Sequence, residues 1–520
     1  MAELFHGTWW EQQRDKSFEE LAHGRFTQLL PGLGTAHSDE DDLQLLADAM
    51  TSDQEPEPTP EDKPDPEEDS EKTAAYTYLG QFVDHDLTFD PTSTLREFLD
   101  EKRIDGLKDY RTPRFDLDNL YGRGPDDQPY LYEPDGIHMQ LGERMSGNPF
   151  DPEARQVPRA PKGRALIGDP RNDENRIVAQ LHSIFLRFHN NVADYLAETN
   201  YLDLDRKLGF EDVREQVRWH YQWVLVTDFL RRIINHDTYR RVFADPRYPT
   251  PTLPGLRDGL RLMPVEFSVA AFRFGHSMIR PDYRLNTKVP RRPIFSPRGD
   301  ERAPADPTAD LGGFRPIPSD WAIDWRFFVD LEPGPESKAQ KAYKIDTSLA
   351  APLGDLPPEI ASNPKSLALR NLERGVAFSL PTGQQVARAL GEKPIADEDL
   401  LIRKATAGAG DKLQALTDIA PGFAGRAPLW AYILSEAQVT SWVRAGWDRA
   451  GYDPAPEGIP VKLGPVGGRI VADVFAALLR GDPTSYLKQG APFKPIPSLT
   501  PDGTTFGLAE LINFALRPTP

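Results

Sequence analysis

The chain has 520 residues, no cysteine, and 80 acidic against 61 basic residues, for a net charge of −19. The missing cysteines exclude disulfides, zinc–thiolate sites, iron–sulfur clusters and a thiolate-ligated haem together. The acidic excess repels phosphate backbones, so nucleic acid is not an expected partner.

The N-terminal stretch MAELFHGTWWEQQRDKSFEE lacks the basic start and apolar run of a secretory signal. No stretch is apolar for long enough to span a bilayer, so a soluble, cytoplasmic protein is expected. Residues 1–52 read as an N-terminal arm, whose GRFTQLLPGLG segment (Gly24 to Gly34) has apolar residues to pack but no evident chemistry. Residues 53–72, DQEPEPTPEDKPDPEEDSEK, are nearly all proline and acid. A segment with nothing to bury and charges that repel is expected to stay extended, as a flexible linker to a main body over residues 73–520.

In that body the apolar spacing is helical and period-two alternation is scarce. Ile177, Val178, Leu181, Ile184, Phe185, Phe188 and Val192 recur at three- and four-residue steps, predicting a helix over 174–198 with Asn172 or Asp173 as its cap. Further helices are expected over 213–234, over 265–279 before Pro281, and over 468–480. Fifty prolines fall mainly between them. The expected fold is mainly α: one large helical domain with long Pro-rich loops and little β.

Three segments carry chemistry. In Tyr78-Leu-Gly-Gln-Phe-Val-Asp-His-Asp-Leu-Thr88, Gln81 and His85 lie one helical turn apart on the same face, bordered by Asp84. Asp86 is rotated away. A neutral imidazole beside an amide can move a proton between two oxygens, although the spacing alone equally fits an amphipathic helix with a polar edge. In Gly168-Asp-Pro-Arg-Asn-Asp-Glu-Asn175, Arg171 offers a fixed positive charge for a developing oxyanion, and Glu174 follows in the first helical turn. In Ala271-Phe-Arg-Phe-Gly-His-Ser-Met-Ile279, His276 stands among apolar residues and needs a metal or a hydrogen-bond partner. Arg273 lies one turn before it, able to hold a carboxylate, and Gly275 permits a flat ring to approach. The other histidines are read as satisfied surface or core residues, with His182 and His189 buried on the long helix.

Together these segments resemble the animal-type haem peroxidases of the peroxidase–cyclooxygenase superfamily, from about Tyr76 to Leu487. The resemblance implies that residues 73–520 are a haem peroxidase domain holding haem b, with His276 as axial ligand and His85, Gln81 and Arg171 as the distal set. It implies that Asn371, in Leu369-Arg-Asn-Leu-Glu-Arg-Gly375, accepts the N–H of His276. Arg273 and Arg374 would lie near the propionates. Thr112-Pro-Arg-Phe-Asp-Leu-Asp118 resembles the family's Ca²⁺ loop, with Thr112, the Arg114 carbonyl, Asp116 and Asp118 as ligands and Asp86 completing the set. Asp84 and Glu174 match carboxylates that form ester bonds to haem. Asn175 stands where some relatives carry a Met that makes a third, sulfonium link, so that link is not expected. Arg273 replaces the radical-bearing Tyr of the cyclooxygenases, which argues for peroxidase chemistry over fatty-acid oxygenation. Lack of cysteine is consistent with a bacterial-type member.

The implied activity is reduction of hydrogen peroxide, with a ferryl intermediate that oxidises a small donor: halide, thiocyanate or an aromatic. The alternatives are a haem-dependent fatty-acid dioxygenase, and a non-catalytic haem or adhesion protein of the same fold.

Overall fold

The computed structural model describes residues 24–53, 67–90, 104, 106–203, 205–296, 308–332, 337–358, 360–361, 363–405, 412–447, 458–488, 492–500 and 505–517. The α-helices among the described residues include α1 (Glu40–Met50), α2 (Ala75–Leu87), α3 (Arg176–Thr199), α4 (Phe210–Val224), α5 (Leu367–Ala377), α6 (Leu429–Arg444), α7 (Pro465–Gly481) and α8 (Leu508–Ala515). Strands occur among the described residues only as two-stranded pieces. The mainly α expectation therefore holds.

Helix α3 is the central strut. Its N-cap is Asn175, whose side-chain oxygen accepts from the backbone N–H groups of Ile177 and Val178. Arg171 precedes it in a separate 3₁₀ turn over Pro170–Asp173, and Glu174 is that turn's C-cap. This corrects two expectations: neither Asn172 nor Asp173 caps the helix, and Glu174 is outside it. The turn is clamped from the far side by backbone bonds from Gly313 to Glu174 and from Phe314 to Asp173. A Cβ on Gly313 would fall 1.7 Å from the Asp173 carbonyl oxygen, so only glycine fits. Helices α2, α4 and α8 pack on α3. Phe82 of α2 stacks on Phe185 of α3 with centroids 4.5 Å apart, each burial contributing roughly 1.5–3 kcal/mol.

The two other long helical predictions also need amending. Residues 213–234 form α4, a π turn over Leu225–Phe229, and a final helical turn over Leu230–Ile233. Residues 266–278 are not α-helical but a π turn, Glu266–Ala270, followed by a 3₁₀ stretch, Ala271–Met278. At three residues per turn, Arg273 and His276 are stacked on one face.

The linker expected over 53–72 ends too late. Glu68–Thr73 is a strand paired antiparallel with Lys341–Tyr343, and Asp69 and Lys72 are fully buried as an ion pair at 2.7 Å. An acidic segment orders here because its charges find partners. Residues 54–66 lie outside the described residues, as do residues 1–23 of the arm. The rest of the arm is docked: Phe26–Thr27 pairs with Met263–Pro264, and the buried Glu266 accepts from the N–H groups of Leu29 and Leu30.

Helix α7 begins at Gly464-Pro465 with no side-chain cap of its own. Glu436 of α6 supplies one, accepting from the N–H groups of Val466 and Gly467. Burial pushes the Glu436 pKa up to about 8. A folded-state pKa above the unfolded value, ~4.3, gives stability that is complete at low pH and lost as pH rises through about 8. Glu436→Gln keeps an acceptor without the charge. It is expected to melt higher than the parent above pH 8, by an amount of order a few kcal/mol. Parallel melting-temperature profiles for the two proteins from pH 5 to 9 would rule this out.

Candidate active site

Helix α2 projects Gln81, Asp84 and His85, the 3₁₀ turn projects Arg171 and Glu174, and the 3₁₀ stretch projects Arg273, Gly275 and His276 into one cavity of about 290 Å³. This is near the lower edge of the ~300–1,000 Å³ usual for small-molecule sites. Glu174 partly fills it, since its carboxylate takes a hydrogen bond from Gln81 Nε2 and comes within 3.6 Å of His85 Nε2. Phe272, Phe274, Ile279, Ile294, Phe295, Leu353 and Leu356 supply much of the apolar wall.

On the α2 side, His85 is buried and its Nδ1 lies 2.8 Å from Asn172 Oδ1. The ring is thus held from behind with Nε2 toward the cavity. Gln81 Oε1 accepts from Asn175 Nδ2 at 3.0 Å. Arg171 is gripped by Asp169, donating from Nε and from Nη2 at 3.1 Å and 2.8 Å. It also donates to the His85 carbonyl at 3.1 Å, and its guanidinium lies 4.6 Å over the Phe89 ring. Arg171 and Arg111 hold the buried Asp169 carboxyl well below the usual carboxylate range. Asp84 lines the cavity on the same side, its side chain 3.4 Å from Thr88 Oγ1.

On the 3₁₀ stretch, His276 Nδ1 lies 2.8 Å from the amide of the buried Asn371 on α5. The amide nitrogen faces the ring, whereas metal ligation through Nε2 needs Nδ1–H donating to Oδ1. A half-turn of the amide, with no heavy atom displaced, provides that. Burial and then Arg273 push the His276 pKa down to about 3, so the imidazole is neutral and its lone pair available. Arg374 does not line the cavity. It stands beside Arg273, and burial, Arg273 and Arg370 together bring its pKa down to about 10.

These observations fit a haem. A Cβ on Gly275 would meet nothing within 4 Å, leaving room for a flat ring. The mutual repulsion of Arg273, Arg370 and Arg374 is what a pair of propionate carboxylates would relieve.

A second centre lies behind α2. Carboxylate oxygens of Asp86, Asp116 and Asp118 fall within 4.8 Å of one another. Asp86 Oδ1 and Asp118 Oδ1 are buried without a hydrogen bond. Burial, together with the charges of Asp116 and Asp118, drives Asp86 far up, and burial with the charges of Asp116 and Asp169 drives Asp118 up to about 8. Thr112 Oγ1 donates to Asp116 at 2.8 Å, and the Arg114 N–H donates to the Thr112 carbonyl at 2.7 Å, which turns the loop. Crowded, desolvated carboxylates with unused lone pairs suit a hard divalent cation. All five residues singled out from the sequence are thus in or beside this cluster. Sequence reasoning missed Asn172, Asp169, Phe89 and Tyr221, whose hydroxyl donates to Asp86 at 3.2 Å. Only Asn172 carried a signal, as the neighbour of Arg171, and its polarity suggested a helix cap.

Comparison with known proteins agrees. Residues 108–298 match the animal haem peroxidase family; Arg171, His276 and the acidic loop lie inside that range, while α2 and Asn371 lie outside it. Mouse thyroid peroxidase is 27% identical over 133 residues, covering 24% of this chain and 14% of that protein. Mouse eosinophil peroxidase is 30% identical over 141 residues, 25% of this chain and 18% of that protein. The chain thus aligns with only a small part of these relatives' length. In fold, peroxidase A of Dictyostelium discoideum superposes with a TM-score of 0.58 at 15% identity, over 95% of this chain and 93% of that one. A fatty acid alpha-dioxygenase of Oryza sativa gives 0.54 at 15% identity, over 92% and 79%. The animal haem peroxidase match thus covers residues 108–298, and the fold shared with peroxidase A of Dictyostelium discoideum extends over 95% of this chain.

Proposed function

We propose that the protein is a haem b peroxidase that reduces hydrogen peroxide and oxidises a small donor, such as a halide, thiocyanate or an aromatic. The observation that carries this reading is that His85 and His276, far apart in sequence, line one cavity with Gln81 and Arg171. His276, backed by Asn371, would ligate the iron, and Arg273 with Arg374 would hold the propionates. Asp84 and Glu174, which line the cavity, would form ester links to the haem, which mass spectrometry of acid-denatured, haem-loaded protein would detect.

When bound, haem supplies the redox chemistry of O–O cleavage. The chain supplies the proton handling. His85 Nε2 takes the proton from the bound peroxide and returns it to the leaving oxygen. Arg171, immobilised by Asp169 and Phe89, opposes the negative charge that develops there. Gln81 offers an amide to orient the peroxide or a water. Haem-loaded protein is expected to show a strong Soret band that changes rapidly with one equivalent of peroxide. A Soret band unmoved by peroxide would remove the peroxidase reading and leave haem binding.

Ca²⁺ is proposed at Asp86, Thr112, Arg114, Asp116 and Asp118, tying the loop to the helix that carries His85. Chelation is expected to lower the melting temperature by several degrees, with recovery on adding Ca²⁺, and Asp86→Asn is expected to abolish the response. Identical melting with and without chelator, in protein free of bound Ca²⁺ by metal analysis, would exclude the assignment.

A second reading, fatty-acid oxygenation, draws on Tyr78, which lines the cavity among apolar side chains. Oxygen uptake with linoleate separates the two.

A further inference from the structure

Asn172 is fully buried, and neither the helix cap nor the proposed chemistry accounts for it. Its Oδ1 lies 2.8 Å from His85 Nδ1, and its Nδ2 lies 3.1 Å from His182 Nδ1. His182 is itself fully buried on α3, one face of its ring near Phe82, and its Nε2 has no hydrogen-bond partner. A primary amide has one accepting and one donating end, so the three side chains can be wired in two senses, which differ at His85. If Nδ2 donates to His182, Oδ1 must accept from His85 Nδ1–H, which leaves the Nε2 lone pair toward the cavity. If the amide is reversed, His85 Nδ1 becomes the acceptor and its proton sits on Nε2, where the ring cannot act as a base.

We propose that His182 and Asn172 are positioning residues that fix the tautomer and orientation of His85, with His182 setting the direction of the Asn172 amide. The inference rests on the reading of His85 as the proton-transfer residue, but the geometry it concerns involves neither haem nor peroxide. His182 is suited to the task because it is neutral: burial holds its pKa down to about 3, so one ring nitrogen is an acceptor, and in the proposed wiring that nitrogen is Nδ1, the one facing Asn172. That acceptor is presented while Nε2–H is left unpaired, a cost that a residue serving only as core filling would not carry. The rest of the surroundings cannot substitute. The Arg171 guanidinium reaches only the His85 backbone carbonyl, and Glu174 lies on the Nε2 side of the ring. The arrangement is the carboxylate-free analogue of the third group that orients a base in catalytic triads, and an amide supports the neutral ring without stabilising a second proton on it.

The test is ¹⁵N NMR of the full chain labelled at histidine, without haem, at about pH 8 where an ordinary imidazole is neutral. The His85 signals are assigned by their absence in His85→Gln. The wild type is expected to show His85 protonated on Nδ1 only. His182→Phe removes the acceptor, freeing the amide to reverse, and is expected to move a substantial fraction of His85 to the Nε2–H form. His182→Gln restores an acceptor oxygen and is expected to return it. In haem-loaded protein the His182→Phe variant should lose peroxide reactivity by roughly 10–100-fold with the Soret band retained, and His182→Gln should recover most of it. A wild-type His85 protonated on Nε2, or a His182→Phe spectrum with the tautomer unchanged, overturns the proposal. Should His182→Phe not fold, the wild-type tautomer still decides. If the tautomers behave as expected while no variant reacts with peroxide, the positioning pair stands and the peroxidase reading fails.

Discussion

Replacing His85 by alanine is expected to leave haem uptake intact and to slow peroxide cleavage by roughly 10²–10⁴-fold, the usual loss for a deleted general base. The separation of effects follows from the geometry. His85 is on α2, whereas His276 is on the 3₁₀ stretch of the same cavity, and nothing in the proposed ligation involves His85. The side chain touches Asn172 on one side and approaches Glu174 on the other. Its removal therefore opens a small space without detaching either helix. Arg171 keeps its grip on Asp169, so charge stabilisation survives and the variant should retain a residual rate. Stopped-flow absorbance of the Soret region reads both quantities. A rate within threefold of the parent would show that the proton is handled elsewhere in the cavity.

His276→Ala is expected to have the larger consequence, loss of stable haem binding altogether. Apolar contacts with Phe272, Phe274, Ile279 and Leu353 are not metal-specific, and Arg273 with Arg374 would hold only the propionates. Neither provides an axial ligand. No other imidazole among the described residues lines this wall, because Phe274 and Gly275 precede His276 and Ser277 points into the core. The variant should show no sharp Soret band at stoichiometric haem and no gain in melting temperature on haem addition, whereas the parent gains by mass action. Exogenous imidazole should partly restore the band, since it can occupy the vacated volume. Unchanged haem affinity would move the axial role away from His276.

The four helical segments were readable as helices because their apolar residues repeat with a helical period, and that period depends on neighbours a few residues away. Their finer winding was not. The π and 3₁₀ geometry of residues 266–278 comes with packing against α6, α7 and the docked arm, and it stacks Arg273 directly over His276. Similarly, Asn172 has the composition of a cap and sits where a cap would be expected. It was drawn into the interior because His85 and His182 arrive there from two different helices. The acidic segment ending at Lys72 misled for the opposite reason: its composition indicated disorder, yet Asp69 and Lys72 pair in the core and Glu67 binds Arg403.

Sequence by itself determined the chemistry available to this protein: a cysteine-free chain, His85 with Gln81 on one turn, Arg171 at a helix entrance, His276 in apolar surroundings, and a loop rich in hard oxygen ligands. Those properties are local, set by residue type and by spacings of one helical turn, and they persist whatever the rest of the chain does. Tertiary structure decided which of them meet. It placed His85 and His276 on one cavity, closed Asp86 onto Asp116 and Asp118, fixed Arg171 with Asp169, and gave His85 its partner. Except for the Asp169–Arg171 pair, two residues apart, these contacts join residues far apart in the chain and depend on how whole helices pack, which no short-range pattern records.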